Sequence, residues 1–236
     1  MSEVTKRKNM VITGTSRGIG KFLAEYYIKK GFNVFGISRS DSSIDMEYYS
    51  HSQLDLENSN EIMLFYKNFK KENKYLDVLI NNAGTLTSMN SLIIPQKSVE
   101  SMINTNIKAN FFMSREAAKI MMLHKKGRVI NIGSMASILK PKGDSVYAMT
   151  KSAISNLSQV LSKEYSEYGI TNNTLDITYI ETDLSNKIDK SAIKEIISNL
   201  PIPRPAKFED ITNVIDFYLL EESGYITGQS ISLGGL

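Results

Sequence analysis

Tyr147 and Lys151 stand four apart in a stretch with helical spacing, so their side chains share one face. A free phenol, with a pKa of about 10, is a reluctant acid–base at neutral pH. An ammonium one turn away favours phenolate, and tuning a pKa toward the working pH is what general acid–base catalysis requires. The spacing alone says little. With 12 tyrosines and 28 lysines and arginines in 236 residues, chance supplies it more than once, and Tyr26/Lys30 and Tyr66/Lys70 repeat it. Those two pairs fall in helices expected to flank a sheet, where packing plus a solvated lysine explains them. Tyr147 differs in its company. Ser134 follows the short apolar run Arg128–Ile132 and Gly133. Asn106 lies in Asn104-Thr105-Asn106-Ile107, within a long helical stretch. Asn81-Asn82-Ala83-Gly84 closes the apolar run Leu76–Ile80.

A second constellation lies near the start of the chain. Gly14, Thr15, Ser16, Arg17, Gly18, Ile19 and Gly20 join an apolar run to a helical one. Gly14 permits a tight turn, and Gly18 and Gly20 let backbone approach a phosphate and pack helix on strand. The free N–H groups and partial positive charge of a helix N-terminus suit a pyrophosphate there.

These residues need elements to position them. Apolar periodicity predicts strands at Met10–Thr13, Asn33–Ser38, Leu76–Ile80, Arg128–Ile132, Thr174–Ile177 and Ile231–Leu233, with a short strand near Gln53-Leu54. Helices are expected over Lys21–Lys30 (stopped by Gly31), Ser59–Lys71, Ser98 (as cap) to about His124, Ser145–Tyr168 (ended by Gly169), Lys187–Asn199 and Glu209–Leu220. Strand and helix alternating throughout means parallel strands joined by right-handed crossovers. The expected fold is a single-domain α/β doubly wound parallel sheet over residues 1–236, helices on both faces, with ligands at the carboxyl ends of the strands.

Composition narrows the function. A chain of 236 residues with 42% apolar and 22% charged residues can bury a sizeable core. A net charge of +3 does not suggest a nucleic-acid partner. The absence of cysteine excludes disulfides and thiol catalysis, and with two histidines no metal site is expected. No apolar run approaches a membrane span, and the N-terminal MSEVTKRKN lacks a signal peptide's apolar stretch, so a cytoplasmic protein is expected.

The glycine loop, Asn-Asn-Ala-Gly, helix asparagine, strand-end serine and Tyr-x-x-x-Lys, in that order from about Met10 to Gly235, resemble the short-chain dehydrogenases/reductases. That resemblance implies a Rossmann-type fold and an oxidoreductase interconverting a ketone and a secondary alcohol. Tyr147 would then exchange a proton with the substrate oxygen, and Ser134 would hydrogen-bond that oxygen. Tyr147 and Lys151 would also bind the cofactor, Lys151 at the nicotinamide ribose, and Asn106 would support a water relay. By the same resemblance Asp55-Leu56 contacts adenine, and Asn81, Asn82, Ala83 and Gly84 line the adenosine ribose. Ile180 and Thr182 hold the nicotinamide carboxamide and nearby phosphate. Where NAD-preferring folds carry an acid after the second strand, this chain has Ser38 and Arg39, with Arg17 in the glycine loop. An arginine there matches a 2′-phosphate, so the expected cofactor is NADP(H).

Within the family the chain is most similar to 3-oxoacyl-acyl-carrier-protein reductases. The resemblance implies an acyl-thioester or other small-molecule carbonyl substrate, an acyl carrier protein as partner and a homotetramer or homodimer. Lys125 and Lys126 are the basic residues offered to an acidic carrier, although Glu164–Tyr168 is acidic and aromatic where that comparison favours a base. Met113, Met121, Met122 and Met149 lie on the two helices that form dimer contacts in the family, with core packing the plainer account of them. Where the family has Pro-Gly after the sixth strand, this chain reads Asp176-Ile177-Thr178-Tyr179. Ile177 and Thr178 tolerate positive φ poorly, so this loop must take another path. The segment 184–207, with Ile188, Ile193, Ile196 and Ile197, is the expected substrate lid. A sugar, polyol or secondary-metabolite carbonyl is an alternative substrate, and a non-catalytic NADP-binding regulatory module is an alternative function.

Overall fold

The computed structural model describes residues 7–182 and 190–235. Seven strands, β1 (Lys8–Thr13), β2 (Phe32–Ser38), β3 (Tyr49–Gln53), β4 (Val78–Asn81), β5 (Gly127–Ile132), β6 (Ile170–Asp176) and β7 (Ser230–Ser232), form one sheet. Every pairing is parallel and the order is β3-β2-β1-β4-β5-β6-β7. The order reverses between β1 and β4, which opens a crevice at their carboxyl ends.

Alternate residues of the central strands feed two apolar layers. Val11, Leu79 and Val129 face helices α2 (Ser59–Glu72), α4 (Ala109–Met121) and α6 (Ser145–Tyr165). Met10, Ile12, Ile80 and Ile130 face α1 (Gly18–Lys29) and α8 (Phe208–Leu219). Strands covered on both sides need no polar face, which is why they read as short unbroken apolar runs. Gly31 at φ +90° follows α1, and Gly169 at φ +67° follows the last turn after α6, as the sequence predicts.

Several elements differ from expectation. β6 begins at Ile170, four residues early, because Thr171, Asn172 and Asn173 are buried polar residues, the two asparagines within a side-chain network. Asn131 Nδ2 donates to Asn172 Oδ1 at 2.7 Å, Asn81 Nδ2 donates to Asn131 Oδ1 at 2.9 Å, and Asn173 Nδ2 donates to Ile226 O at 2.9 Å. A polar ladder through three strands hides a strand from an apolar-run criterion. β3 lies at Tyr49–Gln53 rather than Gln53-Leu54; an edge strand needs little apolar surface.

Ser98 does not cap the long helix. Helix α3 (Gln96–Met102) starts after Pro95, and the chain then passes through a π-helical turn, Ile103–Lys108, before α4 and a final 3₁₀ turn to His124. Such bulges mark functional sites often, and this one holds Asn106. A short helix, α5 (Ala136–Leu139), has no counterpart in the sequence reading. Of the expected lid, α7 (Lys190–Ser198) is described, while Leu184, Ile188 and the start of the helix at Lys187 lie outside the described residues.

The two competing Tyr/Lys pairs are structural. Tyr26 Oη and Lys30 Nζ both bond Asp216 at 2.6 Å, tying α1 to α8. Tyr66 is 3% exposed within the core under α2. Met113 and Met121 are buried in the core, whereas Met122 and Met149 are at the surface.

Candidate active site

Two cavities meet at the carboxyl edge of the sheet, and Tyr147, Ile177, Ile19 and Thr182 line both. The first is a polar cleft over β1, β2, β4 and β5. The second is an apolar recess under α5 and the segment after β6.

The glycine loop forms the floor of the cleft. Gly14, at φ +78°, lies where a Cβ would approach Asn82 Nδ2 to 2.9 Å, so the turn requires glycine. Gly20 packs on the Gly14 carbonyl with no room for a side chain. Arg17, the N-cap of α1, makes no side-chain cap bond, which leaves the first-turn N–H groups of α1 to serve an anion. Gly14, Ser16, Arg17, Gly18 and Ile19 line the cleft. Thr15 does not; it is fully buried beneath the loop and accepts the Tyr49 hydroxyl at 3.0 Å.

Ser38, Arg39, Asp55 and Leu56 line the far end of the cleft. Arg39 is exposed at the mouth, while Ser38 donates to Ser40 O at 2.7 Å and meets His51 Nε2 at 3.3 Å. Asn82, Ala83 and Gly84 form the wall from β4. One residue that the sequence reading passed over holds this wall to the glycine loop. Thr13 Oγ1 accepts the backbone N–H groups of Asn82 and Ala83 at 3.0 and 2.9 Å, while Asn82 Nδ2 donates to Thr13 O at 2.8 Å. Asn81 points away, into the buried asparagine ladder.

At the inner end stand Tyr147 and Lys151, one turn apart on α6. Lys151 is 4% exposed and donates from Nζ to Ile132 O at 2.8 Å. Burial brings its pKa down to about 8, against the pull of the Asp176 carboxylate. Nζ stands 5.7 Å from the centre of the Tyr147 ring. The Tyr147 phenol is pushed up to about 12, first by burial, while a hydrogen bond with Ser134 pulls it down and the charge of Asp144 raises it. The easing of ionisation expected from Lys151 is not seen: the phenol is held as a proton donor, the form that reduction of a carbonyl consumes.

Ser134 lies at the turn out of β5 and lines the recess. Its position is fixed by Asp176, whose Oδ1 accepts the Ser134 N–H at 3.1 Å. A Cβ on Gly133 would collide with that same oxygen, so Gly133 and Asp176 require each other. Asp176 is 2% exposed, and burial raises its carboxyl to about 6, above the opposing effects of the Ser134 N–H and Lys151.

Asn106 is buried behind the cleft. Its amide accepts from Thr85 N at 2.9 Å and donates to Thr85 O and Thr150 Oγ1, both at 3.0 Å. Thr150 in turn donates to Tyr147 O. The side chain thus ties the Gly84-Thr85 segment to the start of α6 and touches neither Tyr147 nor Lys151 directly.

Ile177 and Thr178 leave the sheet without positive φ, as their β-branching predicts. Met135 N donates to Ile177 O at 2.9 Å, which seats the segment on α5. Ile180 lines the recess rather than the cleft, and Thr182 lines both. Lys125 and Lys126 are displaced from the site altogether. They precede β5 at its amino end, about 20 Å from Ser134 by the rise of a six-residue strand, and Lys126 pairs with Glu221 at 2.8 Å.

Comparison with known proteins agrees with this geometry. The family model described as short chain dehydrogenase matches residues 8–192. The chain is 30% identical to the 3-oxoacyl-[acyl-carrier-protein] reductase FabG of Buchnera aphidicola subsp. Schizaphis graminum, over 98% of this chain and 97% of that protein. It is also 30% identical to the FabG of Rickettsia felis, over 97% and 95%. Among solved structures, a short chain dehydrogenase from Leptospira borgpetersenii with bound NAD+ superposes with a TM-score of 0.89 at 25% identity, covering 98% of this chain and 92% of that one. ElxO with NADP bound superposes at 0.87 and 29% identity, covering 97% of each. A strand-end serine, a phenol and a buried ammonium converge beside a glycine-floored cleft in a chain that the family model matches over residues 8–192: the chain belongs to the short chain dehydrogenase family.

Proposed function

We propose that this protein is an NADP(H)-dependent oxidoreductase that interconverts a ketone and a secondary alcohol. The observation that carries the reading is the placement of Tyr147 at the junction of the two cavities, with Ser134 on the recess side and Lys151 on the cleft side. The cofactor fits the cleft on the chain's own features: a glycine floor that a Cβ would fill and an uncapped helix N-terminus above it. When bound there, it supplies or accepts the hydride.

The protein's residues do the rest. Ser134 Oγ donates to the substrate oxygen and stabilises the charge that develops on it. Tyr147 Oη gives up its proton to that oxygen. Lys151, anchored on Ile132 O, holds positive charge beside the phenol, would bond the nicotinamide ribose of a bound cofactor, and makes the phenolate left behind tolerable. Asn106 holds the Gly84-Thr85 wall against α6, and the proton is restored to Tyr147 by water along that side. Arg39 and Arg17 flank the end of the cleft where a 2′-phosphate would lie, which favours NADP(H) over NAD(H).

The similarity to FabG proteins supports a 3-oxoacyl thioester as the first substrate to test, with an acyl carrier protein as its carrier. A sugar, polyol or other hydroxylated carbonyl is the second, favoured by one specific feature of the recess, the carboxylate of Asp144. A homotetramer or homodimer built on the α4 and α6 surfaces, where Met122 and Met149 are exposed, completes the reading, with the cytoplasm as its location.

The test is oxidation of NADPH followed by its absorbance, with an acetoacetyl thioester beside simple ketones and keto-sugars, and NADH in parallel. NADPH-selective turnover is expected. Binding of NADPH without turnover of any carbonyl would replace the reading by a regulatory binding module.

A further inference from the structure

Asp144 is the N-cap of α6, three residues before Tyr147. An aspartate in that position ordinarily accepts a first-turn N–H of its own helix. Here it does not: its φ and ψ are −103° and 25°, and no side-chain cap bond is made. The residue is 6% exposed, and Oδ1 has no hydrogen-bond partner among the described residues. The Ser88 hydroxyl bonds the carboxylate, so the group is partly, not fully, satisfied. A buried carboxylate oxygen left without a donor is costly, and it persists where something else supplies the donor.

The surroundings say where that donor would come from. Asp144 lines the recess together with Ser134 and Tyr147, and the rest of the wall is largely apolar: Leu86, Met135, Leu139, Ile177, Ile180. It is the sole ionisable carboxylate or cation among the described residues lining this recess. Asp144 and Tyr147 are three apart at a helix start, a spacing that brings side chains to within about 5–6 Å of each other. The charge on Asp144 is felt by the Tyr147 phenol. An oxygen held by Tyr147 and Ser134 therefore lies in the same recess that Asp144 lines.

We infer that the substrate of this recess carries a hydrogen-bond donor, a hydroxyl or a protonated amine, close to the reacting carbonyl, and that Asp144 Oδ1 receives it. The inference rests on the oxidoreductase reading for what reacts, and it selects within that reading a hydroxy- or amino-ketone over a plain acyl chain. An aliphatic chain laid across Asp144 supplies no donor to that oxygen, so the donor-bearing substrates are preferred.

The experiment uses the full chain with NADPH bound and Tyr147→Phe to stop turnover. Hydroxyacetone, aminoacetone and butanone are the probes, since they have one shape and differ only in the terminal hydroxyl, ammonium or methyl. Dissociation constants by calorimetry are expected to favour hydroxyacetone or aminoacetone over butanone by about tenfold or more, the size of a hydrogen bond to a charged acceptor. Adding Asp144→Leu, which keeps the volume, is expected to abolish or invert the preference. Asp144→Asn separates the two sources: it removes a preference for the ammonium and largely keeps one for the hydroxyl. NADPH affinity and melting temperature of each variant establish that it is folded. Equal binding of the three probes, or a preference unchanged by Asp144→Leu, would overturn the inference. Turnover of the probes by the unmutated protein is measured alongside. A preference in binding without any turnover would sink the oxidoreductase reading and leave the recess assignment standing, whereas turnover without preference would do the reverse.

Discussion

The two cavities that meet at Tyr147 are built by different means. The cleft is backbone and glycine: its floor is a turn that only Gly14 can make, clamped to the β4 end by Thr13 Oγ1 and Asn82. The recess is side chain: Leu86, Met135, Leu139, Ile177 and Ile180 with one carboxylate. Backbone geometry admits few sequences, and a wall of apolar side chains admits many. The cleft is thus suited to one invariant ligand, and the recess to whatever carbonyl compound its side chains select.

The sharpest way to break the cleft half of this contrast is at Gly20. A valine there has no space against the Gly14 carbonyl. Gly20→Val is expected to weaken NADPH binding by roughly 100-fold through displacement of the loop, read by fluorescence of the bound cofactor. Smaller and more selective is Arg39→Ala. If Arg39 holds a 2′-phosphate, affinity for NADPH falls about 10- to 100-fold and affinity for NADH hardly moves; equal losses on both would remove the arginine from cofactor choice.

The smallest effect concerns the seam between the cavities. The Asp176 carboxyl is raised to about 6 in the folded protein, from an ordinary 3.8. A raised acid binds its proton more tightly when folded, so its contribution to stability is full below about pH 4 and is lost as pH rises through about 6. Asp176→Asn removes that loss and keeps an oxygen for the Ser134 N–H. The variant is expected to gain on the order of 2 kcal/mol over the unmutated protein above pH 7, or a few degrees in melting temperature, with the gap closing toward pH 4. A pH-independent gap would mean that Asp176 is not buried as a charge.

Legibility in the sequence follows the same division. The glycine loop, the Asn-Asn-Ala-Gly wall, Ser134, Tyr147 and Lys151 could be read because each sits immediately after an apolar run or at helical spacing, and the fold then brings those places to one edge. Asp144 and Asp176 could not be read as part of the site. Asp144 stands just before the helix expected from Ser145 and Asp176 falls inside the expected strand Thr174–Ile177, and only burial distinguishes a carboxylate that caps from one that lines a cavity. β6 was half missed because its buried asparagines bond Asn131 on the neighbouring strand and the Ile226 carbonyl, partnerships no local pattern reveals. Lys125 and Lys126 line neither cavity; they precede the amino end of β5, and Lys126 pairs with Glu221.

The central claim is that Tyr147 does chemistry and does not merely line the cofactor cleft. The most direct measurement compares Tyr147→Phe with the unmutated protein in two readouts, NADPH affinity and the rate of NADPH oxidation on the best carbonyl substrate. The account predicts an unchanged affinity with a rate lowered by about a thousandfold, the scale of a lost general acid. A variant that still turns over at a comparable rate, or one that loses rate only because it no longer binds NADPH, would contradict it.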